Sequence, residues 1–495
     1  MRRRPAGIAL ALVSAGAALI AGCGDGATAR RTLALESCRL PRLAVAAQCA
    51  KLPVPENRAR PEGRRIDVHV AVLPANTLSP KADPLLVLAG GPGQSASSLA
   101  SFAARLTELR RTRDIVLVDQ RGTGRSAPLA CAAYSEAELE TAAFETDPAP
   151  RARRCAAELA AAGVDPAQYT TAAFIADLEA VREALGVARW NLWGGSYGTR
   201  VALDYARRHP DRIRTMILDG VAPPSMKVSL DVWISRERAL ASLLDRCRAA
   251  PACAKALPDP PAALDAALAA FGRAGDPPAY VDPASGATRR AAGGPDSVLA
   301  LVHPLLYSPE TVALLPALLA RARDGDLAPL VAATTAFAGT LAESMSMPLH
   351  YSVTCAEDVP RIAADERDRA LAGRRSARLA GAVLSVCDGW PRGTPPADHA
   401  APVQSAIATL LLSGGLDPVT PPANAETVAR TLANHRHVVA PGYGHIVTFQ
   451  SCGPRLVAAF VDAGGSASLP ADCVRQLESS VPPPLWTGLL GPDTP

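Results

Sequence analysis

The chain has 495 residues, of which 48% are hydrophobic: enough for a sizeable core and too many for one small domain. Its net charge of +4 includes Arg2, Arg3 and Arg4 at the extreme N-terminus, so the rest is close to neutral. No basic run interleaved with aromatic residues occurs, which argues against a nucleic-acid partner.

In chain order the first element is a targeting segment. "MRRR" is a positive n-region, and Ala6 to Ile20 is an apolar stretch too short for a membrane span. It ends in "LIAGC", Leu19 to Cys23, which resembles the lipobox of bacterial lipoproteins. The resemblance implies cleavage before Cys23 and lipid on that cysteine. Residues 1–22 are then a signal peptide and 23–37 a tether. The chain is expected to be exported and held to the cell-envelope membrane by that lipid anchor alone. An ordinary secretory signal cut near Ala21 would export it equally.

From Cys38 the chain turns strand-rich. "RRIDVHVAVLPA" alternates Ile66, Val68 and Val70 as a half-exposed strand does. "PLLVLAGGPGQSA" is a buried strand, Leu85 to Leu88, running into a glycine-rich loop, and "DIVLVDQRGTGRS" repeats that plan. "FIADLEAVREALG" sets Ile175, Leu178, Val181 and Leu185 on one helical face, with Gly186 as the stop. "RWNLW" is the next strand, followed by an elbow, a helix from about Thr199 to Arg208, and the strand "RIRTMILDG". Residues 223–402 are alanine- and leucine-rich and helical in texture; "IATLLLSGGLDPVTPP" and "HRHVVAPGYGHI" then restore the strand rhythm. Short apolar strands separated by helices predict an α/β fold, a mostly parallel sheet covered on both faces. The core comprises 38–222 and 403–475, the helical insertion 223–402 is a cap over the sheet edge, and 476–495 is a proline-rich tail.

Three loops at strand ends carry chemistry. Gly194-Gly195-Ser196-Tyr197-Gly198 is a G-x-S-x-G elbow, Asp417 follows a later strand, and His445 follows the last. Ser, Asp, His is the chain order of an α/β-hydrolase triad, and carboxyl ends of parallel strands share one sheet edge. A serine hydroxyl needs a base within hydrogen-bond reach, which His445 supplies while Asp417 holds its tautomer. Tyr197 would offer its backbone N–H to the oxyanion at a helix N-terminus. His435 and His437 open a strand and read as edge residues, whereas Asp219, also at a strand end, is the alternative acid. The triad is self-sufficient, so no cofactor is expected.

Ten cysteines remain once Cys23 is set aside, an even number suited to an oxidising compartment. They lie as near neighbours, and sequential pairing is the expectation: Cys38–Cys49, Cys131–Cys155, Cys247–Cys253, Cys355–Cys387 and Cys452–Cys473. Spacing does not fix that connectivity. No C-x-x-C pair occurs, so a metal site has little support.

"GGPGQSA" (Gly90 to Ala96), "DQRGTGRS" (Asp119 to Ser126) and "GGSYGT" (Gly194 to Thr199) together resemble the proline iminopeptidase and tripeptidyl aminopeptidase family of α/β-hydrolases. Ala89, where proline iminopeptidases often have histidine, and the tail "SCGPRLVAAFVDAGGSASLPADC" are similar to the tripeptidyl branch. The resemblance implies a serine exopeptidase that acts on peptides with a free N-terminus, with Gly91 as second oxyanion donor. It also implies acidic cap residues that receive the substrate's ammonium group, with Glu357 in "YSVTCAEDVP" the candidate. A carboxylic-ester hydrolase using the same triad is the alternative. Nothing in the sequence specifies an oligomer.

Overall fold

The computed structural model describes residues 33–135, 146–273, 278–291, 296–342 and 344–488. The signal peptide, most of the tether and Cys23 lie outside the described residues, as does the end of the tail. Nine strands form one sheet: β1 (Glu36–Cys38), β2 (Ala47–Pro55), β3 (Arg65–Leu73), β4 (Leu85–Leu88), β5 (Ile115–Val118), β6 (Trp190–Gly195), β7 (Ile213–Asp219), β10 (Ala408–Gly414) and β11 (His435–Ala440). A separate two-stranded ribbon pairs β8 (Ala279–Val281) with β9 (Thr288–Arg290).

The sheet order is β1-β2-β3-β5-β4-β6-β7-β10-β11, antiparallel from β1 to β5 and parallel across β5-β4-β6-β7-β10-β11. The chain enters the parallel part in the middle, at β4, goes one way to β5 and then returns to β6 on the other side. That reversal opens a crevice beyond the carboxyl ends of β4 and β6, where open α/β sheets bind their ligands. Register keeps the ends level, with Leu88 beside Gly194, Gly195 beside Asp219, and Asp219 beside Leu412.

Helices on both faces explain why these strands read as unbroken apolar runs: β4, β5, β6 and β10 are buried at every position. Each fully buried leucine or valine contributes about 1.5–3 kcal/mol over its exposed state. The helix Thr171–Leu185 buries Ile175, Leu178, Val181 and Leu185 as their spacing predicts. Thr170 Oγ1 caps its start by accepting from Ala173 N, and Gly186, at φ 67°, closes its end. The helix after the elbow starts two residues earlier than expected, at Tyr197.

The insertion has a core of its own, built from Leu243, Leu264, Phe271, Val302, Leu315, Leu319 and Leu330 on successive helices. Not all of residues 223–402 is cap, however. Leu349, Tyr351, Val353, Cys355, Cys387 and Trp390 pack into the main core beside β4 and β6. The helix Met347–Glu357 therefore belongs physically to the hydrolase body. All five sequential cysteine pairs are joined as disulfides.

Candidate active site

Ser196 sits between β6 and the helix Tyr197–Arg208 with φ 56° and ψ −126°, a strained conformation for a residue with a side chain. The flanking glycines allow this. A Cβ on Gly194 would lie 2.5 Å from Gly198 O, and one on Gly198 would lie 2.1 Å from Leu88 O, so helix and strands touch backbone to backbone. The amide of Ser196 donates to Asp219 O at 2.9 Å, tying the elbow to the end of β7.

His445 Nδ1 lies 2.8 Å from Asp417 Oδ2. Asp417 is buried and also accepts from Val419 N, Thr420 N and Thr420 Oγ1, each at 2.8 Å. Those bonds come from the turn Asp417-Pro418-Val419-Thr420, whose first carboxylate folds back on its own backbone. Burial pushes the His445 imidazole down. The charge and hydrogen bond of Asp417 outweigh it, so the ring holds its proton above the usual histidine range. Burial likewise raises Asp417, but His445 and the turn amides bring it below the usual carboxylate value.

Gly220, at the end of β7, packs against the imidazole: a Cβ there would lie 3.0 Å from His445 Cε1. Ser196 Oγ makes no hydrogen bond to the described residues. The loop after β4 lies on the other side of the serine. A Cβ on Gly90 would meet Ser196 Cβ at 3.1 Å, and Gly91 has φ +103°, which a side chain resists. Gly91 and the N-terminal amide of the helix beginning at Tyr197 thus flank Ser196 from two elements.

Asp219, the alternative acid, does a different job. Its carboxylate accepts from Val447 N at 2.9 Å and from Thr448 N at 2.6 Å, fixing the chain just after His445. His435 bonds Leu432 O and His437 bonds Ser413 Oγ, both on the edge strand β11. Neither joins the site.

Glu357, the candidate for the substrate's ammonium group, already has partners within the protein. It is buried, and its two oxygens accept from Thr171 N and Thr171 Oγ1, both at 2.8 Å, at the start of the helix Thr171–Leu185. Orphan amides at a helix N-terminus favour a carboxylate there, which satisfies this one without any ligand. Because an ionised carboxylate only accepts, Thr171 donates to it and Tyr197 Oη donates to Thr171 Oγ1 across 2.6 Å.

Several residues near the site were not legible in advance. Thr420 Oγ1 lies 3.2 Å from His445 Nδ1, Tyr307 O accepts His445 N at 3.0 Å, and His350 Nδ1 lies 3.1 Å from Pro92 O. The spacing Asp-x-x-Thr could have exposed Thr420. Tyr307 and His350 come from the insertion and carry no local signal.

A family model described as alpha/beta hydrolase fold matches residues 83–253, and one described as TAP-like protein matches residues 375–473. The chain thus has an α/β-hydrolase fold, with a TAP-like segment towards its C-terminus. A proline iminopeptidase of Neisseria meningitidis is 32% identical over 157 residues, 32% of this chain and 38% of that protein. A tripeptidyl aminopeptidase of Streptomyces coelicolor is 32% identical over 195 residues, 36% of each chain. The matched part thus spans little more than a third of either relative's length. The crystal structure of a proline iminopeptidase of Mycobacterium smegmatis aligns over 84% of this chain and 98% of its own, at 17% identity and a TM-score of 0.42.

Proposed function

We propose that the chain is an exported, lipid-anchored serine aminopeptidase that releases N-terminal residues or short peptides through an acyl-enzyme. Ser196 is the nucleophile, His445 the base and then the acid, and Asp417 the residue that orients and charges the imidazole. Gly91 and Tyr197 donate their amides to the tetrahedral oxyanion. The observation that carries this reading is the 2.8 Å contact of His445 Nδ1 with Asp417 beside a serine at φ 56° on its elbow. Similarity to aminopeptidases supports peptide as the substrate, and the "LIAGC" segment supports the anchor.

A second reading, a carboxylic-ester hydrolase with the same residues, gains from one fact. Both Glu357 oxygens already accept from Thr171, so the candidate partner of a substrate amine has a structural task of its own. Free-amine and N-blocked peptide anilides, run beside simple esters on wild type and Ser196→Ala, separate the two. The expected result is a preference for free amines and a loss on the order of 10³-fold or more in the variant. Near-wild-type turnover by Ser196→Ala sinks the nucleophile; preference for blocked substrates sinks the aminopeptidase.

A further inference from the structure

Several buried arginines are answered by carboxylates: Arg121 by Asp177, Arg182 by Glu179, Arg200 by Asp358, Arg113 by Asp83 and Asp462. Arg236, half-buried on the helix Val228–Ala249, is not. Its guanidinium carbon lies 5.3 Å from the Trp233 ring centre and 5.8 Å from that of Tyr307. One terminal nitrogen donates to Tyr307 Oη at 3.0 Å, while Nε is buried with no partner. Among the described residues no carboxylate pairs with it. Aromatic faces stabilise such a cation by about 0.5–2 kcal/mol, but they leave its N–H groups unsatisfied.

A second group beside Trp233 also lacks a partner. His303 is buried with both ring nitrogens unpartnered, its ring edge-on to Trp233 at 5.6 Å. Burial, and then the charge of Arg236, push it down to about 3, so it is neutral and still holds one N–H to give.

This cluster adjoins the reacting groups. The Tyr307 ring stands edge-on to the His445 ring at 5.4 Å, and Tyr307 O holds His445 N. The charge of Arg236 opposes protonation of His445 and of His350, and His350 contacts the loop that carries Gly91. In acyl transfer the histidine hands its proton to the leaving group, so the region against His445 belongs to the leaving half of the substrate.

We propose that Arg236 receives a carboxylate carried on the leaving half of the substrate, close to the bond being cut. Either the C-terminal carboxylate of a short peptide or an acidic side chain beside that bond has this chemistry. The inference rests on the serine-hydrolase reading of Ser196 and His445. It adds a consequence for rate: a bound carboxylate cancels the charge that disfavours the imidazolium, so the correct substrate assists its own proton transfer.

Matched pairs test it. Alanine peptides from dimer to pentamer are compared as C-terminal acids and as amides. Amidated pentapeptides carrying glutamate or glutamine next to the cut bond separate the side-chain source from the terminal one. The pair 3-carboxyphenyl acetate and phenyl acetate asks the same question without any peptide. The wild type should prefer the acid member of at least one peptide pair by about 10- to 100-fold in kcat/KM, as a charge-assisted hydrogen bond provides. In Arg236→Gln that ratio should fall to near one, and Arg236→Lys should recover part of it. A wild-type ratio near one in every pair overturns the proposal, and needs no variant to be seen. So does a ratio that survives in Arg236→Gln, or equal losses on both members, which would mean that Arg236 only supports Tyr307. If peptides go uncut while the ester pair keeps its ratio, the aminopeptidase reading fails and the role of Arg236 stands.

Discussion

Asp417 and His445 exert opposite pulls on each other's proton, and the pH profile should record them. The imidazole must be neutral to accept the Ser196 proton, and Asp417 raises its pKa above the ordinary histidine value of about 6.5. The acid limb of kcat/KM should therefore lie above that value. Asp417→Asn removes the main charge that supports the imidazolium against burial and leaves only the weaker help of Asp219, so the limb should move to lower pH while the rate falls. A pH–rate profile on one substrate checks both. A limb that stays in place in the variant would assign the titration to another group. Asp219→Asn should act differently, because Asp219 holds Val447 and Thr448 rather than the ring.

The element that controls the elbow is the helix Thr171–Leu185, although it touches no substrate. Glu357 caps its first turn, Thr171 passes that bond to Tyr197 Oη, and Tyr197 carries the amide proposed for the oxyanion. Glu357→Gln places an NH2 where two donors already converge. It should cost about 1–3 kcal/mol of stability and lower peptide and ester hydrolysis together. Thermal unfolding with parallel assays of both substrates measures this. A loss confined to free-amine peptides would return Glu357 to the ammonium group. Gly198 of the elbow belongs to the same scale, since its tolerance is set by β4: a side chain there would strike Leu88 O.

Across the whole molecule, the disulfides staple segments within each layer. Cys247–Cys253 lies in the cap, Cys355–Cys387 fastens the helix Met347–Glu357 to the helical turn Val386–Asp388, and Cys452–Cys473 joins the last two α-helices. Closed loops of this kind stabilise by about 2–4 kcal/mol each. Thiol labelling of the denatured, unreduced protein should find none of these ten cysteines free; several labelled thiols would contradict the pairing. Among the described residues, backbone hydrogen bonds between insertion and body include Tyr307 O with His445 N, Ser344 O with Ser95 N, and Ser346 N with Gly93 O. Cap position therefore bears directly on both the base and the oxyanion loop.

What the sequence determined by itself is what short-range physics encodes. Unbroken apolar runs gave the buried strands, Gly186 marked the end of its helix, and Gly194 to Gly198 located the elbow. The order of Ser196, Asp417 and His445 placed three loops on one sheet edge, because strand polarity alone sends them there. Tertiary structure decided the rest. Asp417 rather than Asp219 faces the imidazole, since the turn to Thr420 aims one carboxylate and the amides after His445 consume the other. Glu357 caps a helix 186 residues away in sequence, and Arg236 reaches His445 only through Tyr307. Such contacts join residues far apart in the chain, and no local pattern records which partner will arrive.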